Sequence, residues 1–357
     1  MLAKLWLGLT AVAFAKPVAP IAIVIPCNAE DFHFLPLVLN SIANQTVLPQ
    51  ETILVGNLPE SHADGTLLLD TASKGLNVQN IWATADLQEK EEEVSLFSWI
   101  VDQVRGTQSM SLEETDQTLA ASHEPPKFHF SADGNKKHRS PQDALRYITK
   151  VLPDTKEALS VIPRVKVYVR GGTHYAGSNR VYGAEKSSND IEIVCFFDAD
   201  DYMHPQRTEF IWRAFNDTSE NIEALIHGFK MLKITEWNKE MPKFAKTLEY
   251  PDSWAYPSEK YWSVLPVNKL HEGQTEPSYG GRPGYAWWFS KDLGLHFPPG
   301  SPSGHNGWLS IKKSALAEVP YPDIRRGQDS LYNWRLIRAH KRWNFLHVPL
   351  GAYLTYR

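Results

Sequence analysis

Three carboxylates stand together in this chain: Asp198, Asp200 and Asp201. They follow Ile191, Ile193, Val194, Cys195, Phe196 and Phe197, a β-branched and aromatic run that reads as a strand buried on both faces. Carboxylates crowded at the end of such a strand repel one another and lose hydration. A divalent cation removes that conflict, and hard oxygen ligands suit Mg²⁺ or Mn²⁺, ions that also bind phosphate oxygens. The same residues also fit a solvated Asp-rich turn in which Asp201 caps a following helix. His204, just beyond, is a metal-ligand candidate better suited to a capping role. Cys27 and Cys195 sit where strands are expected. They read as inert core thiols rather than nucleophiles, and two cysteines alone do not imply a disulfide.

The surrounding pattern supplies elements to position these groups. Ile21–Pro26 reads as a strand closed by proline, Cys27–Asp31 as a polar loop, and Phe32–Ala43 as a helix carrying Phe34, Leu35, Val38, Leu39 and Ile42 on one face. Glu51–Val55 is a second strand, so the chain opens as a βαβ unit of a parallel sheet, whose carboxyl edge is where open α/β sheets bind ligands. Further on, Ser61–Ser73 reads as a helix or turn and Val78–Trp82 as a short strand. Residues 86–160 are polar and weakly periodic and read as an insertion. Their Lys136–Arg139 cluster suits a diphosphate or an acidic partner but reads better as a solvated loop. Val161–Arg170 alternates valines with Lys166 and Arg170, the pattern of a half-exposed strand. Helices are expected at Thr208–Asn216 and Leu331–Ala339, and strands at Glu223–Ile234, Trp308–Ile311 and from Phe345. Residues 237–306, rich in Trp, Tyr, Pro and Gly, read either as the acceptor side of a cleft or as a packing layer.

With 357 residues, 42% of them hydrophobic, the chain is long enough for one large domain. Its net charge of −4, from 37 basic and 41 acidic residues, provides no field for nucleic acid. Lys4 precedes the apolar stretch Leu5–Ala15, the form of a signal peptide over residues 1–15 that routes a chain to the secretory pathway. That stretch is too short for a transmembrane helix, and without a signal function the chain is expected in the cytoplasm.

Ser41-Ile42-Ala43-Asn44-Gln45-Thr46 at the end of the first helix, the strand–Pro26–loop before it, and the aspartates after Phe197 occur in a telling order. Together they resemble family 2-type glycosyltransferases with the GT-A fold and their D-x-D signature. The resemblance implies a mixed, mostly parallel central sheet flanked by helices, here one domain over residues 16–357. It places Pro26, Asn28, Glu30, Asn57, Arg180 and Asp198 at a nucleotide-diphosphate sugar, with Asp198 and Asp200 at Mn²⁺ or Mg²⁺. Asp329 takes the place of the catalytic base, and Trp308 and Gln328 lie on the side of a glycan, protein or lipid acceptor.

The chain departs from the family pattern at three points. Gly56-Asn57 stands where an aspartate usually meets the base, Gln328 where a glutamate usually precedes Asp329, and the sequence stops at Arg357, where family members often continue to a histidine that completes the metal shell. His347 is a weaker substitute for that histidine. The resulting expectation is an inverting, metal-dependent sugar transfer. A non-catalytic glycan- or nucleotide-sugar-binding relative stays open, and so does a nucleotidyltransferase, although Pro26–Asp31 lacks the glycine a phosphate loop needs.

Overall fold

The computed structural model describes residues 16–27, 31, 34–58, 66–72, 155–217, 222–250, 262–264, 288–290, 295–297, 306–325, 328–339 and 343–355. The signal-peptide stretch, the strand expected at Val78–Trp82, the Lys136–Arg139 cluster and most of the expected insertion lie outside them, as do Asn28 and Glu30.

The chain opens as expected. Strand β1 (Val18–Cys27) is followed by helix α1 (Leu35–Ala43) and strand β2 (Leu48–Leu58). Strand β3 (Thr66–Asp70) comes next, where a helix or turn over Ser61–Ser73 was expected. Its leucines satisfy either periodicity. Pairing with the exposed edge of a neighbouring strand decides the outcome, because tertiary context overrides local propensity. Helix α2 (Thr155–Val161) then packs on α1 through Ala158 and Leu159. The last residues of the stretch expected to be an insertion therefore belong to the core.

Strand β4 (Val165–Gly171), helix α3 (Ala176–Glu185), strand β5 (Ile193–Phe196), the two-residue strand β6 (Tyr202–Met203) and helix α4 (Arg207–Asn216) carry the chain through the aspartate cluster. They are followed by strand β7 (Ala224–Lys233), helix α5 (Trp237–Phe244), and the short strands β8 (Trp262–Val264), β9 (Trp288–Ser290) and β10 (Leu295–Phe297). Strand β11 (Leu309–Lys312), helix α6 (Lys313–Glu318), helix α7 (Gln328–Arg338) and strand β12 (Trp343–Thr355) complete it.

All twelve described strands join one sheet, ordered β3-β4-β2-β1-β5-β11-β7-β10-β9, with β12 pairing β6, β7 and β8. Its centre, β4-β2-β1-β5, is parallel, while β3 and β11 run antiparallel to their neighbours. This is the mixed α/β sheet with flanking helices that the GT-A resemblance implies. One face packs Ile21, Ile23, Leu54 and Cys195 against α1, α2 and α4. The other packs Val24, Val55, Val194 and Phe196 against Ala184 of α3, Leu316 of α6, and Tyr332 and Leu336 of α7. The alternation of side chains along each strand thus feeds two apolar layers.

The alternation in β4 reads differently in place. Lys166 and Arg170 are buried, not half-exposed, because the sheet is covered on both faces. Lys166 is compensated by Glu51 at 3.0 Å, which also receives Arg164 and a short hydrogen bond from Ser188. Burial pushes the Glu51 carboxyl up, but the Ser188 and Lys166 hydrogen bonds outweigh it and the net shift is downward. Both cysteines are free and buried, as expected of core thiols. No described helix is long and apolar enough to cross a membrane.

Candidate active site

The carboxyl ends of β1, β2, β4 and β5 lie along one edge of the sheet. Beyond β5 the chain turns through Asp198–Asp201 before β6 pairs with β12. Beyond β4, Gly172 takes a left-handed φ of 84°, a conformation a side chain would strain, and turns the chain toward α3. Arg180, in the first half of α3, therefore sits over the end of β5.

Arg180 is the hub of the site. Its Nη2 donates to Asp198 Oδ1 at 2.6 Å, and its Nη1 donates to Asp329 Oδ1 at 2.8 Å and to the Tyr321 hydroxyl at 3.0 Å. Tyr321 in turn donates to Asp329 Oδ1 at 2.7 Å. The guanidinium is buried, whereas Asp198 and Asp329 are 21% and 22% exposed. Burial works against the arginine's charge, but the Tyr321 oxygen, Asp198 and Asp329 outweigh it and hold the group well above its ordinary value. The structure thus joins the expected donor residues Arg180 and Asp198 to the expected base, Asp329. It also shows that the guanidinium is already held by two carboxylates and a phenol.

Asp198 and Asp200 are half-buried at the edge, while Asp201 turns inward and is 1% exposed. Burial first, then the charges of Asp200 and Asp198, hold the Asp201 carboxyl well above the usual range, so the three groups feel one another. Two partly open carboxylates fit a hard divalent cation of the Mg²⁺ type, which needs only one or two protein carboxylates when substrate phosphates complete its shell. Among the described residues no group of three or more His, Cys, Asp or Glu side chains is arranged to hold a metal ion. His204 is not turned to that use. Its Nδ1 accepts the Gln206 N–H at 3.1 Å and its Nε2 meets the Lys246 carbonyl at 3.2 Å, so it caps the turn into α4. The side chain of His347, in β12, lies outside the described residues.

Behind the turn, Arg207 is fully buried. Its Nη2 donates to the Phe196 carbonyl at 3.1 Å and its Nε to His227 Nε2 at 2.8 Å. That bond requires a neutral His227, and burial together with the nearby Arg207 charge keeps its pKa well below the ordinary value. Burial also draws the Arg207 pKa down to about 10. The pair buttresses the end of β5, on which Asp198 depends.

At the end of β2, Asn57 donates to the His174 carbonyl at 2.6 Å and accepts from Asn179 Nδ2 at 3.1 Å. Asn179 Oδ1 accepts from Arg170 at 3.3 Å. The residue at the expected base-contact position is therefore part of an amide chain binding β2 and β4 to α3. Pro26 is buried in β1, paired with Val55.

The two expected acceptor residues are engaged within the protein. Trp308 is fully buried and stacks on Phe229, with centroids 4.0 Å apart. It is core rather than acceptor surface: it ends the short helical turn Asn306–Trp308 that leads into β11 and joins the same apolar layer as Phe229. Gln328 accepts the Gly177 N–H at 3.0 Å, so its side chain braces the start of α7 against the start of α3. Tyr321, Arg207 and His227 escaped the sequence reading. The spacing of Tyr321 eight residues before Asp329 was a weak signal, and nothing in the sequence pairs Arg207 with His227.

Residues 146–291 match the family model described as glycosyl transferase family 2. This stretch is glycosyltransferase family 2-like. The family 2-like stretch contains Arg180, Asp198 and Asp200 and ends before Asp329. No curated protein matches the chain. Among solved structures it is similar to S. aureus TarS 1-349 in complex with UDP-GlcNAc, at 11% identity and a TM-score of 0.43, over 94% of this chain and 59% of that one. For the UDP complex the TM-score is 0.41, with 11% identity over 94% of this chain and 60% of that one. For a further structure of S. aureus TarS it is 0.42, at 11% identity, over 94% of this chain and 36% of that one. The chain thus spans less than two thirds of these relatives, and likeness at this level bears on neither activity nor ligand.

Proposed function

We propose that the chain is a metal-dependent glycosyltransferase that moves a sugar from a nucleotide-diphosphate donor to an acceptor hydroxyl with inversion. One observation carries the reading: a single guanidinium, that of Arg180, spans Asp198 and Asp329. The aspartate expected at the diphosphate and the aspartate expected to act on the acceptor therefore face the same space.

In this reading Asp329 takes the proton of the acceptor hydroxyl, whose oxygen forms a bond to the anomeric carbon. The bond from that carbon to the diphosphate oxygen breaks with its electron pair. Attack opposite the leaving group inverts the anomeric centre. Asp329 stands in the first turn of α7. Arg180 orients both carboxylates and offers a planar fork to phosphate oxygens. Asp198 and Asp200 would hold Mn²⁺ or Mg²⁺, which when bound supplies Lewis-acid stabilisation of the departing diphosphate. Arg207 and His227 hold the end of β5 in place for these carboxylates. The donor binds along the carboxyl edge of the sheet, and the aromatic-rich residues 237–306 contribute to acceptor recognition.

A non-catalytic nucleotide-sugar-binding relative is the second reading. It is favoured by the engagement of Asn57 in protein hydrogen bonds and by Gln328 standing before Asp329 as a brace. Calorimetry with UDP and GDP, with and without Mn²⁺, combined with a nucleotide-release assay over a panel of nucleotide sugars, separates the two. Manganese-dependent release of nucleotide supports the transferase. Binding without release supports the second reading, and absence of nucleotide binding sinks both.

A further inference from the structure

We propose that Tyr321 is the positioning residue of Asp329: its phenol holds the carboxylate in place when a diphosphate draws Arg180 aside. The proposal rests on the transferase reading above. Among the described residues, Asp329 Oδ1 receives Arg180 Nη1 at 2.8 Å and the Tyr321 hydroxyl at 2.7 Å. These donors are unlike. Arg180 divides its guanidinium between Asp329 and a second anion, Asp198, at 2.6 Å. A diphosphate arriving at Asp198 competes for the same guanidinium, because phosphate oxygens match its bidentate fork.

Tyr321 is built to stay. It lies between α6 and α7 and is 6% exposed. Its ring stacks on Tyr332, with centroids 4.1 Å apart, and meets Phe196 edge-on at 6.0 Å. On its remaining side is the backbone of α3. A Cβ added at Gly177 would lie 2.7 Å from the Tyr321 ring and 2.7 Å from the Pro322 carbonyl. An aromatic ring with two rotatable bonds, clamped in this way, cannot follow a moving guanidinium. Its hydroxyl also accepts from Arg180 at 3.0 Å, so one oxygen touches both the guanidinium and the carboxylate. A base held in geometry through the donor-bound state is what an oriented attack requires.

The test uses the full chain with Tyr321→Phe, which keeps the ring and removes only the hydroxyl. Tyr332→Phe is the control, since the Tyr332 hydroxyl is buried without a hydrogen-bond partner among the described residues. With the donor identified from the nucleotide-sugar panel, Tyr321→Phe is expected to lower kcat about 10- to 100-fold, the loss of one hydrogen bond to a charged group. Donor KM and the UDP Kd should stay within about twofold, because the lost contact is not to the donor. Tyr332→Phe should leave kcat unchanged. An unchanged kcat in Tyr321→Phe, a shift in KM alone, or equal effects of the two variants overturns the proposal. If the wild type releases nucleotide from no sugar donor, the transferase reading fails on its own. Crystal structures of Tyr321→Phe and wild type with UDP then decide the positioning claim. A carboxylate of Asp329 displaced only in the variant supports it, and one in the same place in both refutes it.

Discussion

Asp198 and Asp329 are held by opposite arms of one guanidinium, at 2.6 and 2.8 Å from Arg180. Two carboxylates brought this close repel unless a cation lies between them. Arg180 supplies that charge within the protein, so the site can be assembled before any ligand arrives. Replacement by lysine preserves the charge but not the fork. Arg180→Lys is expected to reduce donor turnover by at least about tenfold and to cost ~2 kcal/mol of stability through lost charged hydrogen bonds. Nucleotide release and urea unfolding measure the two effects. Full turnover in the variant would remove Arg180 from the mechanism.

Asp200 is half-buried at the sheet edge and adds to the charge felt by Asp201. Asp200→Asn should therefore lower manganese affinity and drop turnover about 100-fold, a few kcal/mol of transition-state stabilisation. Unfolding free energy should remain within about 0.5 kcal/mol of wild type or rise, because a repulsion is relieved. Chelation of the wild type should abolish nucleotide release and added Mn²⁺ restore it. Undiminished manganese binding by the variant, seen by calorimetry, would count against the assignment.

His204 gives a stability signature in pH. Burial draws its pKa down from 6.5 to about 4. The folded state prefers the neutral ring, so the contribution is present above the unfolded value and is lost as pH falls from about 6.5 toward 4. From pH 7 to pH 5 the loss from this group is about 2 kcal/mol. His204→Asn keeps an acceptor for the Gln206 N–H but cannot titrate. The wild type should lose ~2 kcal/mol more than this variant over that interval in urea unfolding. Parallel losses in the two proteins would mean that His204 is not held neutral.

Gly177 is where α3 touches the segment that carries Tyr321. Gly177→Ala pushes a methyl group into the Pro322 carbonyl and the Tyr321 ring. Overpacking of this kind costs about 1–3 kcal/mol. The displaced segment also bears on Asp329, so turnover should fall more than stability predicts. Thermal unfolding and donor turnover report on the two, and normal activity would show that the 321–322 segment yields without disturbing the base.

Much of the frame could be read from local pattern. β1, α1 and β2 follow from Ile21–Ile25, the spacing of Leu35, Val38, Leu39 and Ile42, and the apolar run before Gly56. The aspartate turn announced itself because charge after a buried strand is costly. The errors came where burial depends on distant partners. Lys166 and Arg170 looked solvent-facing because nothing local reveals that β4 is covered on both faces and that Glu51 waits across the sheet. Trp308 looked like a sugar platform because an aromatic residue carries no mark of the face it will occupy. Thr66–Asp70 looked helical because its partner strand lies far along the chain. Arg180, Asp198 and Asp329 were each expected at the site, but Tyr321 and the bonds that join the four escaped detection for the same reason: they come from separate stretches, and only the tertiary fold joins them.

Strand β11 enters antiparallel between β5 and β7. The end of β7 and the start of β11 therefore lie on the same rim, the one on which Asp198 stands. The chain between them is stitched back into the sheet through β8, β9 and β10, and Trp237, Met241 and Phe244 of α5 lock it to an apolar cluster with Leu232 and Leu354. An alteration anywhere along that excursion is thus felt by the frame that carries the arginine hub, which ties whatever is grafted there to the geometry of the donor end.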